Sequence, residues 1–229
     1  MRVVLLQPPV FRREAPAALL AEALGVPRIS FGDLMRTNLS RGTELGIRAA
    51  EIMNSGRLLP EEIITAVVRD RLHGVAQPDF LLVGYPNSAT QALALDQLLH
   101  ELGKPLDGVL HLRLPEAEVE RHARRLAARR LCRDDQTHRF EPEVDQLLVD
   151  GVCNVCGGEL YQSGDDNENS IRGKFGSHDA WLEPIAQHYA RQDLLVTVNA
   201  AGRSDEITRH TLTALQAHSL RPKSGPATS

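Results

Sequence analysis

MRVVLLQPPVFRREAPAALLAEAL, Met1 to Leu24, is the stretch on which the fold turns. Val3, Val4, Leu5 and Leu6 form a short apolar run, Pro8 and Pro9 interrupt it, and an Ala/Leu-rich segment opens at Pro16. Such a run suits a strand buried on both faces. Proline suits the first turn of a helix, because the N–H it lacks there has no intrahelical partner. The pattern is therefore strand, loop, helix. In α/β chains this arrangement binds phosphate when loop glycines bring amides close to the oxygens and the helix N-terminus adds its positive end. No glycine lies between Met1 and Leu24. The loop Gln7-Pro8-Pro9-Val10-Phe11-Arg12-Arg13-Glu14-Ala15 has the scaffold of a phosphate site with side chains where its cradle belongs.

The same alternation continues outward. Pro27 to Ser30 reads as a second strand, and Ser30 is placed to cap a helix whose first turn holds Gly32 and Asp33. Thr43 opens another helix that stops near Asn54-Ser55-Gly56, and Pro60-Glu61-Glu62 begins a further one. Phe80 to Val83 is a second fully apolar run, followed by the turn Gly84-Tyr85-Pro86-Asn87 and a helix from Ser88 or Thr90 through Leu102. Gly108–Leu112 reads as a strand, Glu116 to about Ala128 as a strongly basic helix, Asn167 to Arg191 as a helix and Leu194–Val198 as a strand. A last helix starts at Ser204-Asp205. Between Leu131 and Ser163 the rhythm breaks, with three cysteines and Gly157-Gly158, and a small inserted module is expected. Alternating strands and helices imply a parallel sheet covered on both faces, with ligands beyond the carboxyl ends of its strands. Loops 7–15, 30–36, 84–91 and 113–130 are expected around one cleft.

Composition narrows the function classes. There are 26 Lys and Arg against 30 Asp and Glu, so a general nucleic-acid binder is disfavoured. The run Arg121, Arg124, Arg125, Arg129, Arg130 and Arg133 lacks an interleaved aromatic platform and reads as a solvated face rather than a nucleic-acid surface. No apolar stretch approaches ~20 residues, so no membrane span is expected, and Arg2 precedes only four apolar residues, too few for a signal peptide. Three cysteines suit a reduced cytoplasmic setting and a metal site better than a disulfide framework. Cys132-x-x-Asp135 and Cys153-x-x-Cys156 place four ligand-capable side chains at knuckle spacing, as a closed structural zinc site needs. A metal-free lid with His138 and Asp135 hydrogen-bonded is the alternative.

These residues resemble the adenylate kinase family over nearly the whole chain, to about Leu220. Ile29-Ser30-Phe31-Gly32-Asp33-Leu34-Met35-Arg36 is similar to the family's I-S-T-G-D-M-L-R. Gly42-Thr43-Glu44-Leu45-Gly46 and Gly56-Arg57-Leu58-Leu59-Pro60 are similar to its G-T-E-L-G and G-x-L-V-P. Leu82 to Asn87 stands where it has L-D-G-F-P-R, and Gln91 where it has a glutamine. Arg129-Arg130-Leu131-Cys132, Gly151 to Leu160 and Asp165-Asp166-Asn167-Glu168 resemble its lid motifs. The resemblance implies a core (1–29, 60–128, 164–220), a helical AMP-gripping domain (30–59), a lid (129–163) and a disordered tail (221–229). It implies a protein that moves the γ-phosphoryl of Mg–ATP to AMP, chemistry that is nearly all positioning and charge neutralisation, and a monomer is expected. Family lids carry four cysteines, three cysteines with an aspartate, or no metal, which makes Asp135 a plausible second ligand.

Several of the charges that this chemistry uses are gone. Against the family's G-x-P-G-x-G-K-G-T, Val10 and Arg12 replace glycines, Arg13 keeps the charge of the lysine, Glu14 adds a negative charge and Ala15 lacks a hydroxyl for the metal. Val83 replaces the metal-side acid, Asn87 the arginine of the AMP phosphate, Ser163 and Lys174 two lid arginines. Arg36, Arg125, Arg129 and Arg172 remain. At ~2–4 kcal/mol for each lost donor, four or five losses exceed a ~10⁶-fold rate defect. The expectation is a catalytically degraded protein that retains at most adenine-nucleotide binding (AMP, ADP or ATP) through Phe31, Arg36, Leu58, Leu59, Gly84, Gln91 and Arg172. The alternative is a working kinase that uses Arg12, Arg13, Arg36, Arg125 and Arg129 as an arginine-based phosphate clamp, with Arg13, Arg125 and Arg129 as its catalytic groups.

Overall fold

The computed structural model describes residues 1–8, 11, 16–74, 79–135 and 137–219. Val10, Arg12, Arg13, Glu14 and Ala15, and the tail from 221, lie outside them. Two compact units divide the chain, Met1–Arg113 with Trp181–Ser229, and Leu114–Ala180.

In the first unit, β1 (Arg2–Leu6), β2 (Arg28–Ser30), β3 (Phe80–Val83), β4 (Gly108–Arg113) and β8 (Leu195–Asn199) form one parallel sheet in the order β2-β3-β1-β4-β8. β1 is central because Val3, Val4, Leu5 and Leu6 are apolar on both faces and all are buried. Val3 pairs with Leu81 on one side and Gly108 on the other. α1 (Pro16–Leu24), α4 (Glu61–His73), α5 (Ala89–Glu101), the end of α7 (Glu168–Ala190) and α8 (Ser204–Ser219) supply the helices of this unit's sheet. The main core joins Val4, Leu82, Leu95, Val109, Ile185 and Tyr189. Parallel strands joined by helices put their polar loops at the sheet ends, which is why a fully apolar β1 is tolerated here.

α2 (Phe31–Arg41) and α3 (Glu44–Asn54) form a helical insertion before α4, and Met35, Ala49, Ile63 and Val67 make its own small core. Both helices start on the capping residues expected. Ser30 Oγ accepts from the Asp33 amide at 3.4 Å and Thr43 Oγ1 from the Gly46 amide at 3.1 Å. Gly46 is required by close approach, since a Cβ there would lie 2.1 Å from the Asn38 carbonyl oxygen.

The second unit holds α6 (Glu116–Ala127), the antiparallel sheet β6 (Arg139–Phe140), β5 (Arg130–Cys132), β7 (Leu160–Tyr161), and the first part of α7. The inserted module expected over 131–163 is thus a three-stranded knuckle, and the compact unit around it extends to α6 on one side and to Ala180 on the other. Among the described residues no helix is long and apolar enough to cross a membrane.

Candidate functional site

In the first unit, β2 and β3 end side by side, with Ser30 paired to Val83. The start of α2 and the turn after β3 therefore lie together. Val83 is 8% exposed, an apolar side chain at the sheet's carboxyl end. Gly84 has φ +77, the left-handed region, and a Cβ on it would stand 3.7 Å from Phe31 Cβ. Phe31 packs partly against both apolar cores, its ring tilted against Tyr85 with centroids 6.5 Å apart. The Tyr85–Pro86 peptide is cis.

The side chains of this turn are occupied by the turn itself. Asn87 Nδ2 donates to the Gly84 carbonyl at 2.8 Å, and the Asn87 amide donates to Gln91 Oε1 at 2.8 Å. Gln91 is only 4% exposed, so it is not a solvated helix residue. Leu59 packs against the small helical core, whereas Leu58 is 94% exposed and belongs to no core. Arg36 pairs with Asp33, which Arg28 also holds at 3.2 Å. The Arg36 guanidinium, first, and then Arg28, keep the Asp33 carboxyl below the usual carboxylate range. Phe11, the one described residue between 9 and 15, is buried, and its amide donates to the Pro8 carbonyl at 3.1 Å. Arg13 lies outside the described residues.

In the second unit the family-matching arginines face carboxylates. Arg129 is bidentate on Asp166, at 3.0 and 2.5 Å. Arg172 donates to both oxygens of Glu120, at 2.5 and 2.7 Å, and to Glu168 at 2.5 Å. Its guanidinium draws the Glu120 carboxyl below the ordinary value. Arg125 lies 3.5 Å from Glu141, and Lys174 lies 3.9 Å from Asp165. The rest of the basic run is engaged as well. Arg121 pairs with Glu118, Arg124 and Arg130 donate to backbone carbonyls, and Arg133 pairs with Glu159 and lies over the Tyr161 ring at 4.9 Å. An anion approaching these groups must first displace a carboxylate.

The knuckle gathers four ligand atoms, from Cys132, His138, Cys153 and Cys156, all within 4.8 Å of one another. β5 and the turn after it fix Cys132 and His138, because the Cys132 amide donates to the His138 carbonyl at 3.1 Å. The Cys153–Gly158 turn closes through the Cys153 amide on the Gly158 carbonyl at 2.8 Å. His138 stands where Asp135 was expected from the Cys-x-x-Asp spacing. Asp135 instead accepts the Thr137 amide at 2.8 Å, and its other oxygen lies 3.5 Å from His138 Nε2, leaving Nδ1 toward the sulfurs, 3.7 Å from Cys153 Sγ. The Asp135 oxygens lie outside the four clustered ligand atoms and are engaged at the turn and beside His138 Nε2, while the His138 imidazole lies within the cluster. The signal was present as a second histidine-bearing spacing, Cys132-x₅-His138, beside the Cys-x-x-Cys.

The thiols do not behave alike. Amides of Cys156 and Val155 lower Cys153 to about 7. At Cys156 the Gly158 amide lowers the thiol, but the neighbouring Cys132 and Cys153 sulfurs outweigh it and push it up to about 11. Crowded sulfurs that resist holding several negative charges are a donor set that a soft or borderline dication completes.

A five-stranded parallel sheet in this order, a helical insertion after β2 and a knuckled insert after α6 define a nucleotide-kinase type of α/β protein. The family model described as adenylate kinase matches residues 5–194. The chain is 44% identical to the adenylate kinase of Streptomyces avermitilis over 220 residues, covering 94% of this chain and 97% of that protein. It is 44% identical to the adenylate kinase of Streptomyces coelicolor, with 94% and 99% covered. Against the adenylate kinase of Methanocella arvoryzae the identity is 34%, with 94% and 99% covered. The chain belongs to the adenylate kinase family.

Proposed function

We propose that this chain is an adenine-nucleotide-binding member of the family whose transfer of phosphoryl from ATP to AMP has fallen far below a kinase rate. The observation that carries the reading is the turn Val83–Asn87. A buried valine stands where a metal-side acid belongs, and an amide folded onto Gly84 stands where a phosphate-holding arginine belongs. Val83 offers no oxygen to a magnesium water shell, and the neutral Asn87 amide, already donating to the Gly84 carbonyl, brings no charge to a phosphate. Gly84, Gln91 and Phe31 stand at positions that shape the AMP pocket in the family, which supports retained nucleotide binding. Substitution of single preorganised charges typically lowers turnover ~10²–10³-fold, and two at one turn act on the same transition state.

The identity to proteins named adenylate kinase favours a second reading, a working kinase whose arginines 13, 125 and 129 compensate. A coupled assay with ATP, AMP and Mg²⁺ separates the two. The expected outcome is turnover at least a thousandfold below the usual ~1–100 s⁻¹, with a melting shift or calorimetric heat on adding AMP or ADP. Turnover inside that range refutes the first reading, and no heat with any adenine nucleotide refutes binding.

The knuckle's role in this reading is structural. Cys132, His138, Cys153 and Cys156 would hold zinc, which supplies no chemistry to the reaction and joins β5 to the Cys153–Gly158 turn.

A further inference from the structure

Burial divides the three knuckle sulfurs unequally. Cys132 and Cys153 are buried and Cys156 is exposed. Cys132 Sγ and Cys156 Sγ lie 3.4 Å apart, although 24 residues separate them in the chain. Cys153 Sγ also neighbours Cys156, but it is buried, receives the amides of Val155 and Cys156 and faces His138 Nδ1 at 3.7 Å. Thiol oxidation follows thiolate character and access, of which access singles out Cys156, and a disulfide follows when a second sulfur can reach the oxidised one. One exposed sulfur beside one buried sulfur is an attacked thiol with its resolving partner.

We propose that Cys156 and Cys132 form an oxidation-sensitive pair for hydroperoxides, and that closing it expels the knuckle's metal. The release half of the proposal rests on the zinc reading above; the pairing half does not. In the first step Cys156, the thiol open to solvent, gives up its proton as its sulfur attacks one peroxide oxygen, the O–O bond breaks, and the leaving hydroxide takes that proton to become water. In the second the Cys132 thiolate attacks the Cys156 sulfenic sulfur, the S–O bond breaks, and a second water leaves. The two sulfurs lose two electrons and the peroxide gains them, so two thiols and H₂O₂ give one disulfide and two waters. Cys153 and His138 remain, two ligands where a structural zinc needs four. The bond replaces the metal as the tie between β5 and the turn carrying Cys156.

The full-length chain, reduced and then loaded with zinc, is treated with hydrogen peroxide. Released metal is read with a chromogenic chelator, and the cysteines by non-reducing peptide mapping after alkylation. The expected result is one zinc released per disulfide, a Cys132–Cys156 linked peptide, Cys153 still alkylated, and return of zinc binding after reduction. A metal-free sample treated in parallel is expected to give the same linked peptide. Cys156→Ser is expected to slow peroxide-driven loss of free thiols at least tenfold in that metal-free sample. A dominant Cys153–Cys156 link, or sulfinic acid at Cys156 without any link, overturns the pairing. If the reduced chain takes up no zinc by elemental analysis, the metal reading and the release fail, while the metal-free map still decides the pairing.

Discussion

Asn87 shows how one side chain alters a site without altering the fold around it. Its amide satisfies the Gly84 carbonyl, so the turn closes without a cation. Asn87→Arg returns a guanidinium to a turn whose backbone is already set. A charge-assisted contact worth ~1.5–3 kcal/mol should strengthen AMP binding about tenfold or more, read by calorimetry. An unchanged affinity would show that the position no longer faces a phosphate. At the knuckle, His138 and Asp135 make separable predictions. His138→Ala removes a ligand and should lower zinc affinity by well over a hundredfold. Asp135→Ala removes only the group facing Nε2 and should cost about 10–100-fold, both measured by chelator competition. Equal losses would return Asp135 to the ligand set.

At the scale of elements, the helical insertion depends on its caps and on one close approach. Thr43 Oγ1 receives the Gly46 amide and itself donates to Asn38 Oδ1 at 2.6 Å, which joins the end of α2 to the start of α3. Thr43→Ala should cost about 1 kcal/mol in urea denaturation. Gly46→Ala should cost more, about 1–3 kcal/mol, because the added methyl meets backbone, which cannot rotate away. A neutral Gly46→Ala would mean that α2 and α3 separate easily. In α6 the charges are arranged by the same logic, with Glu116 and Glu118 in the first turn and Arg124 and Arg125 in the last, each at the end where the helix dipole favours it.

Across the molecule, stability should depend on pH through His122. It is buried on α6 beside Phe175, with Glu118 4.0 Å from Nε2, and among the described residues its Nδ1 has no hydrogen-bond partner. Burial first, then Arg125 and Arg121, lower it to about 4 from 6.5. Between those values the unfolded chain binds a proton that the folded chain refuses. The second unit therefore loses stability as pH falls from about 6.5 toward 4, by on the order of 3 kcal/mol, and is level above. Hydrogen exchange of the α6 amides across this range should show the loss, and His122→Asn should flatten it. A slope that survives the substitution would assign the effect to other groups.

Most of the fold was legible in the residues themselves. Apolar runs at Val3–Leu6 and Phe80–Val83, caps at Ser30, Thr43 and Ser88, and the glycines after helices are local signals, and the parallel strands and the helices appeared within a residue or two of their reading, whereas the short strands β5, β6 and β7 were not read. Strands buried on both faces admit little else, so the parallel sheet followed as well. Ligation and charge pairing were not local. Asp135 stood at the right spacing and His138 at the right distance, because a turn can bring a later side chain nearer the centre than an earlier one. Arg129 and Arg172 occupied family positions in the sequence, but Asp166 and Glu120, which hold them, come from 37 and 52 residues away. Composition and periodicity follow from covalent order, whereas the neighbours of a charge are fixed only when distant segments pack.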